Sequence, residues 1–132
     1  MMLGIDTNVL VRFLVRDDEG QFERARRLIK REVGSEEDVF VSLLVLVETE
    51  WVLRSRYSLQ KSEVMEAISG LLDATEVQFE DEPAVEEALF IWKDSAADFA
   101  DCLIGAHHRR LGCRATATFD AKAVKLPTFV AL

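Results

Sequence analysis

Short apolar runs alternate along this chain with longer segments in which apolar residues recur every three or four positions. The short runs are typical of β-strands, and the longer spacing is typical of amphipathic helices. Five strands are predicted, at Met2–Ile5, Val39–Val41, Glu76–Phe79, Arg114–Ala117 and Thr128–Val130. Because strands that alternate with helices usually form a parallel sheet covered on both faces, the pattern predicts an α/β fold with a mostly parallel sheet.

The helical segments carry recognisable start and stop signals. Their apolar positions are Phe22, Ala25, Leu28, Ile29 and Val33, then Val64, Ile68, Leu71 and Leu72, then Val85, Ala88, Leu89 and Trp92. Ser42 is predicted to cap the helix that follows it, and Pro83 suits a first helical position. A further helix from about Asp98 to Arg110 is expected to stop at Gly112. With no repeat and no long linker, residues 1–132 are expected to form one domain.

Composition narrows the classes of function. The net charge of −8 and the pI near 4.8 argue against general electrostatic attraction to nucleic acid, so any RNA contact must use local basic groups or metal ions. Cys102 and Cys113 lack the spacing of a metal or redox motif and are expected to be ordinary thiols in a reducing compartment. No signal peptide or membrane span is predicted, and a cytoplasmic location is expected.

The first candidate for chemistry is Asp6, in the segment Leu3-Gly4-Ile5-Asp6-Thr7-Asn8. A buried strand is predicted to end there and to lead into a helix. Ligands and catalytic groups of open α/β sheets collect at the carboxyl ends of strands, so Asp6 is expected at a functional edge.

Glu48 is the second candidate, on the helix predicted to follow Ser42. Leu44, Val45, Trp51 and Val52 flank it on one helical arc, which predicts that Glu48 occupies a core position. An unpaired buried carboxylate is costly, so Glu48 needs a cation, a strong donor or a proton. Two interpretations stay open: a functional acid, or a core glutamate satisfied by an arginine or a backbone amide. Glu50, four residues before Arg54, is predicted to be an ordinary surface residue.

Three further aspartates complete the set. Asp98 and Asp101 lie three residues apart at a helix start, where one explanation is an N-cap with a second acid in the first turn and the other is a shared functional face. Gly105, one turn later, is expected to leave room beside that face. Asp120 ends an apolar strand and either caps the following turn or joins the other acids.

Taken together, these acids predict a site for a hard divalent cation. Carboxylates brought within about 4–6 Å repel one another and raise one another's pKa unless a cation offsets them. Oxygen ligands of this kind suit Mg²⁺ or Mn²⁺ better than zinc. His107 and His108 show no zinc-binding spacing and are expected to lie at the surface or at the rim of the site.

The motifs resemble those of the PIN domain family, and within it the VapC-type ribonuclease toxins of toxin–antitoxin pairs. The resemblance rests on Asp6-Thr7-Asn8, on Glu48 with Glu50-Trp51-Val52-Leu53, on the segment from Asp98 to Ala106, and on Thr118-Phe119-Asp120. It implies a three-layer α/β/α sandwich around a mostly parallel sheet and RNA cleavage dependent on Mg²⁺ or Mn²⁺. Gly105, where the family more often has alanine, and a stretch one residue longer before Asp120 depart from the pattern.

Residue roles follow from the resemblance position by position. Asp6, Glu48 and Asp101 match the three core acids, Asp120 matches a more variable fourth, and Asp98 is expected to be a further ligand or a cap. Thr7, Asn8 and Thr118 are expected to support these ligands. The resemblance also implies an RNA substrate, a separate antitoxin protein as partner, and a homodimer.

Contacts with RNA and two alternative functions complete the sequence-based expectations. RNA contacts are predicted for Arg12, Arg16, Arg109 and Arg110, although such a charge cluster is usually a solvated face.

The first alternative function is a catalytically weak binding domain that grips a basic partner segment. The second is a Mg²⁺-dependent phosphotransfer domain, disfavoured because the segment at Asp6 lacks paired acids. Trp51 and Trp92 are explained by core packing.

Overall fold

The computed structural model describes residues 2–15, 18–33 and 38–132, with the backbone alone for residues 29–33. It divides the chain into two compact units, Met1–Glu80 and Asp81–Leu132. All the strand pairs of the described residues are parallel, which confirms the predicted α/β class.

The described residues of the first unit form a three-stranded parallel sheet and four helices. Strands β1 (Met2–Gly4), β2 (Asp38–Val41) and β3 (Val77–Phe79) are ordered β1-β2-β3, with Leu3 beside Val39 and Val39 beside Val77. The helices are α1 (Thr7–Leu14), α2 (Glu19–Val33), α3 (Leu43–Ser55) and α4 (Lys61–Asp73).

The core of the first unit is built from side chains that the strands and helices contribute together. Buried members include Leu10, Val39, Val41, Leu46, Leu53, Val64 and Ile68. Helices α1 and α2 also meet through Phe13 and Phe22, whose rings stack with centroids 6.5 Å apart. Burial of this aliphatic and aromatic surface fixes α1 and α3, which carry the first two candidate acids.

The second unit contains two helices, two strands and one short turn of 3₁₀-helix. Helices α5 (Glu82–Lys93) and α6 (Phe99–Arg110) precede the parallel strands β4 (Thr116–Thr118) and β5 (Phe129–Ala131). Trp92 of α5 packs on Phe99 of α6 with ring centroids 5.1 Å apart. The predicted apolar face of α6 is confirmed, since Phe99, Cys102, Leu103 and Ala106 are all buried.

Each predicted strand is present within two residues of its expected bounds. The expectation of a buried first strand is wrong, because β1 lies at the edge of the three-stranded sheet and Met2 and Gly4 are exposed. Only Ile5, after the end of the strand, reaches the core.

Both cysteines are free thiols, Cys102 buried and Cys113 exposed. Across the described ranges, no helix is both long enough and apolar enough to cross a membrane.

Candidate functional site

Asp6 joins the end of β1 to the start of α1. Its Oδ1 accepts a hydrogen bond of 3.0 Å from the backbone N–H of Val9, so Asp6 is the N-cap of α1. A carboxylate at this position satisfies a free backbone donor and favours the positive end of the helix dipole. The side chain nevertheless stays exposed, and it lines a cavity of the first unit.

Glu48 is linked to the segment around Asp6 by Thr7, the first residue of α1. The hydroxyl of Thr7 donates a hydrogen bond to Oε1 of Glu48, across 41 positions of sequence. Asp6, Thr7, Asn8 and Glu48 all line the same cavity. The structure therefore brings together two of the predicted acids and two of their predicted supporting residues.

The cavity has a volume of about 470 Å³ and combines acidic, basic and aromatic groups. Besides the residues around Asp6 and Glu48, its lining includes Arg12, Trp51, Arg56 and Tyr57. Arg12 donates hydrogen bonds to the Gln21 side chain and to the Tyr57 hydroxyl, which fix its guanidinium group against α2 and the end of α3. Arg16, the neighbouring predicted RNA contact, lies outside the described residues.

The orientation of α3 differs from the sequence-based expectation. Val45, Glu48, Trp51 and Val52 do share one arc, but this arc faces the cavity. Glu48 is exposed, so its predicted core position is wrong. The core explanation is also wrong for Trp51, which is 53% exposed, whereas it is confirmed for Trp92.

The buried glutamate of α3 is instead Glu50, predicted to be a surface residue. Its side chain is 2% exposed and accepts hydrogen bonds from Arg54 at 2.5 and 3.4 Å. The predicted pairing with Arg54 is confirmed and the predicted exposure is wrong. Helix α3 is apolar on nearly every side, so its sequence does not indicate which of its two glutamates faces the core.

The acids of the second unit surround the start of α6. Asp98 is the N-cap residue, although its side chain makes no capping hydrogen bond, and Asp101 follows in the first turn. Burial raises the pKa of Asp101 above its usual value, and the negative charges of Asp120 and Asp98 raise it further. The carboxylates of Asp120 and Asp98 therefore oppose the ionisation of Asp101.

Asp120 caps a turn, as the simpler interpretation predicted. Its Oδ1 accepts hydrogen bonds from the N–H groups of Lys122, at 2.7 Å, and Ala123, at 3.1 Å. The hydrogen bonds from the N–H groups of Ala123 and Lys122 lower the pKa of Asp120. The hydroxyl oxygen of Thr118 accepts a 3.0 Å hydrogen bond from the N–H of Asp120, so Thr118 supports this residue through its backbone.

The basic end of α6 is engaged within its own unit. Arg109 pairs with Glu87, and Arg110 pairs with Asp81. His107 Nδ1 lies 2.7 Å from the other Asp81 oxygen, and His108 Nδ1 lies 2.9 Å from the Thr116 hydroxyl. Although burial opposes the shift, hydrogen bonds from His107, Arg110 and the backbone lower the pKa of Asp81. RNA contacts by Arg109 and Arg110 therefore compete with these internal partners.

The donor chemistry of both acid groups fits a hard divalent cation. Every candidate ligand is a carboxylate, and the raised pKa of Asp101 marks repulsion that a bound cation would offset. Among the described residues, neither unit by itself groups three or more His, Cys, Asp or Glu side chains closely enough to hold a metal.

Sequence reasoning missed the cavity residues beyond Glu48 on α3. Trp51 lies three positions after Glu48, a spacing of helical neighbours, and Arg56 lies eight positions after it, at the C-cap of α3. That spacing was the available signal, but both residues have common structural explanations. The cavity extends the candidate site from the acids towards an aromatic and basic surface.

A family model described as "PIN domain" matches residues 4–128 of this chain. The chain is 24% identical over 122 residues to a VapC ribonuclease of Aquifex aeolicus (strain VF5), covering 92% of this chain and 90% of the relative.

Among solved structures, the chain is similar to VapC20 of Mycobacterium tuberculosis, a toxin that cleaves the sarcin-ricin loop. That match has a TM-score of 0.42 and 21% identity, and it covers 93% of this chain and 92% of the other. A second match is VapBC2 of Rickettsia felis bound to promoter DNA, with a TM-score of 0.41 and 15% identity, covering 100% and 98%.

Proposed function

This chain belongs to the PIN domain family, and on that premise we propose that it is a divalent-metal-dependent endoribonuclease, the toxin of a toxin–antitoxin pair. The family match runs through both compact units, which supports one nuclease domain spanning residues 1–132. The similarity to a VapC ribonuclease over nine-tenths of both chains supports the nuclease activity and the toxin role.

The observation that carries the proposal is the pairing of Asp6 with Glu48. Two carboxylates distant in sequence line one open cavity, and Thr7, which directly follows Asp6, donates its hydroxyl hydrogen bond to Glu48. An arginine or lysine paired with these carboxylates would occupy the place of a metal cation. Within the described part of the chain, neither Asp6 nor Glu48 has such an ion pair.

We propose Asp6, Glu48, Asp101 and Asp120 as the catalytic carboxylates, with Asp98 as a further metal ligand. Mg²⁺ or Mn²⁺ held by these residues would lower the pKa of water and stabilise negative charge on the phosphate. The chain's own contribution is to fix the carboxylates in advance. The Val9 N–H restrains Asp6, the Thr7 hydroxyl restrains Glu48, and the turn after Thr118 restrains Asp120.

Recognition of the substrate and of protein partners forms the rest of the proposal. Arg12, Arg16, Arg109 and Arg110 are proposed to contact the RNA backbone, because an acidic protein needs local guanidinium groups to hold a polyanion. A cognate antitoxin protein is the proposed partner, and a homodimer is the proposed assembly, both from the likeness to VapC proteins.

The direct test is RNA cleavage by the purified protein in Mg²⁺, in Mn²⁺ and in EDTA, with single-stranded and structured RNAs. The variants Asp6→Asn, Glu48→Gln and Asp101→Asn are expected to lose at least about 100-fold in rate, since each removes a charge from the metal-binding set. Glu66→Gln and Asp73→Asn, on the exposed side of α4, are matched controls that keep wild-type activity. Undiminished cutting by Asp6→Asn or Asp101→Asn would refute these assignments, and a wild-type protein that cuts no RNA would refute the proposed activity.

A further inference from the structure

We propose that Trp51 and Arg56 form a nucleotide-binding surface that holds RNA as a single strand beside Asp6 and Glu48. In this proposal the Trp51 indole stacks on an unpaired base and the Arg56 guanidinium pairs with a backbone phosphate. The inference deepens the proposed ribonuclease function and rests on it. It adds two residues that position the substrate, and it assigns each of them a contact on the RNA.

Helix α3 and its C-cap residue carry these groups one after another towards the end of the helix. Trp51 and Val52 follow Glu48 by one helical turn, and Arg56, the C-cap residue, follows after two turns. With a rise of about 1.5 Å per residue, Arg56 lies roughly 12 Å along the helix axis from Glu48. All four residues line the same cavity, so a ligand in it meets the acid, the indole and the guanidinium in order.

Helix α1 also lines this cavity, with the acid Asp6 at its N-cap and the basic Arg12 in its last turn. Near its start, Thr7 bonds to Glu48, and near its end, Arg12 bonds to Tyr57, just after α3. The two helices are therefore linked at an acidic end and at a basic, aromatic end of one cavity. This polarity suits a polyanion that arginine groups hold while its cleavable bond meets the carboxylates.

The exposure of Trp51 indicates that its indole is available for stacking. It is 53% exposed and lines the cavity, whereas Trp92 is 4% exposed and is covered by Phe99. A single exposed apolar side chain needs no special explanation by itself. An exposed indole between a carboxylate pair and guanidinium groups is, however, the combination that single-strand nucleic-acid sites use, because every base has a π-face.

Arg56 supplies the cation next to that platform. It is exposed, and among the described residues no carboxylate pairs with it. A guanidinium at the end of a helix complements the helix dipole, but it also keeps its donors available for a phosphate. Arg12 differs, because Gln21 and Tyr57 already hold its guanidinium in place.

The experiment measures the fluorescence of Trp51 while short RNAs are added. An Asp101→Asn background carries the measurement, because this substitution lies in the second unit and leaves the cavity residues unchanged. The probes are a single-stranded RNA, a fully paired duplex of the same sequence and a deca-arginine peptide, all in Mg²⁺ buffer. The signal of Trp51 is obtained by subtracting the spectrum of the Trp51→Phe variant. Gel analysis of the same samples records whether the RNA stays intact.

The single strand is expected to quench Trp51, and the duplex to quench it far less. Trp51→Ala is expected to weaken single-strand binding at least roughly fivefold, and Trp51→Phe less, because phenylalanine keeps a stacking surface. Arg56→Ala is expected to weaken binding of all single-stranded sequences alike and to reduce its salt dependence. Phe90→Ala, an exposed aromatic that is not among the cavity residues, and Arg27→Ala, an equal loss of charge, are the matched controls and keep wild-type affinity.

Three results would overturn the inference: equal quenching by the duplex, RNA affinity unchanged in Trp51→Ala, or quenching by deca-arginine alone. The last result would assign the cavity to a basic protein segment. If the wild-type protein cleaves RNA and Trp51→Ala cleaves it equally well, the ribonuclease function stands and the proposed nucleotide-binding surface is refuted. If the wild-type protein binds single strands through Trp51 but cuts no RNA, the nucleotide-binding surface stands and the ribonuclease function is refuted.

Discussion

Asp101 lies where burial and two neighbouring carboxylates all oppose its ionisation, and all three raise its pKa. In a metal-free protein at neutral pH, this side chain is charged at a cost to folding. A residue suited to hold a cation is thus a source of instability without it. Function and stability are expected to conflict at this position.

We predict that Asp101→Asn stabilises the metal-free protein at neutral pH, by up to about 1 kcal/mol. The pKa of Asp101 is raised in the folded state. The destabilisation by its charge is therefore fully present at neutral pH, and it disappears as the pH falls through the folded-state pKa towards the ordinary pKa of 3.8. Urea unfolding in EDTA at pH 7 and near pH 4 measures both effects, and Asp73→Asn controls for the change in net charge. A destabilised Asp101→Asn protein at pH 7 in EDTA would contradict the prediction.

The buried glutamate of α3 makes a second prediction at the residue scale. Arg54→Ala leaves the Glu50 carboxylate, 2% exposed, without the donors at 2.5 and 3.4 Å, and is expected to destabilise the fold by roughly 2 kcal/mol. The expectation lies below the usual cost of breaking a buried pair because Arg54 is itself 41% exposed.

The controls separate the loss of the pair from the loss of a positive charge. Thermal unfolding of Arg26→Ala, which breaks an exposed pair with Glu23, is expected to match wild type. A combined Glu50→Leu and Arg54→Met variant should recover most of the lost stability, because an apolar pair needs no buried counter-charge. Equal effects of Arg54→Ala and Arg26→Ala would show that Glu50 does not depend on Arg54.

At the scale of elements, Gly105 explains how α6 packs against β5. A methyl group on this residue would come closer to the Phe129 ring than van der Waals contact allows, and its second contact, with Cζ, would be 3.2 Å. The sequence predicted open space beside Gly105, but an aromatic ring occupies it. Glycine therefore stands at position 105, where the family more often has alanine, because the bulky Phe129 of β5 leaves no room for a methyl group.

Gly105→Ala is expected to destabilise the protein, by roughly 1–3 kcal/mol, although alanine favours helices more than glycine does. The reason is the clash with Phe129. Chemical denaturation of Gly105→Ala, Phe129→Leu and the double variant measures the coupling, and the double variant should be more stable than the sum of the single effects predicts. Gly70→Ala, in α4 where a methyl group meets nothing within 4 Å, is the control and should be stabilising. A stabilising Gly105→Ala would contradict this account.

The elements themselves were largely predictable from local patterns. The strand positions, the Ser42 cap and the turn at Asp120 follow from alternation and from side chains that bond to nearby backbone groups, which are properties of short segments. The orientation of α3 was not predictable, because apolar residues on nearly all its sides fit either rotation. Which glutamate is buried depends on the neighbours that α3 meets in three dimensions.

At the scale of the whole molecule, the candidate acids are divided between two compact units. Asp6 and Glu48 belong to the first, and Asp98, Asp101 and Asp120 belong to the second. Sequence motifs predicted the members of each group. In the first, Asp6 and Glu48 line one cavity, and in the second the charges of Asp120 and Asp98 raise the pKa of Asp101. The total charge of −8 adds to the local repulsion, so a bound divalent cation is expected to influence the stability of the entire chain.

We predict that Mn²⁺ raises the melting temperature of the wild-type protein by several degrees. A ligand that binds only the folded state stabilises by about 2.7 kcal/mol at 100 times its dissociation constant, and each kcal/mol shifts the melting temperature of a chain this size by roughly 3–5 °C. Asp6→Asn and Asp101→Asn are each expected to lose most of this shift, while Asp73→Asn keeps it. Asp101→Asn should therefore be more stable than wild type in EDTA and less stable in saturating Mn²⁺. A shift that survives both substitutions would remove the proposed ligands, and a shift lost in one variant alone would confine the metal to the acids of that unit.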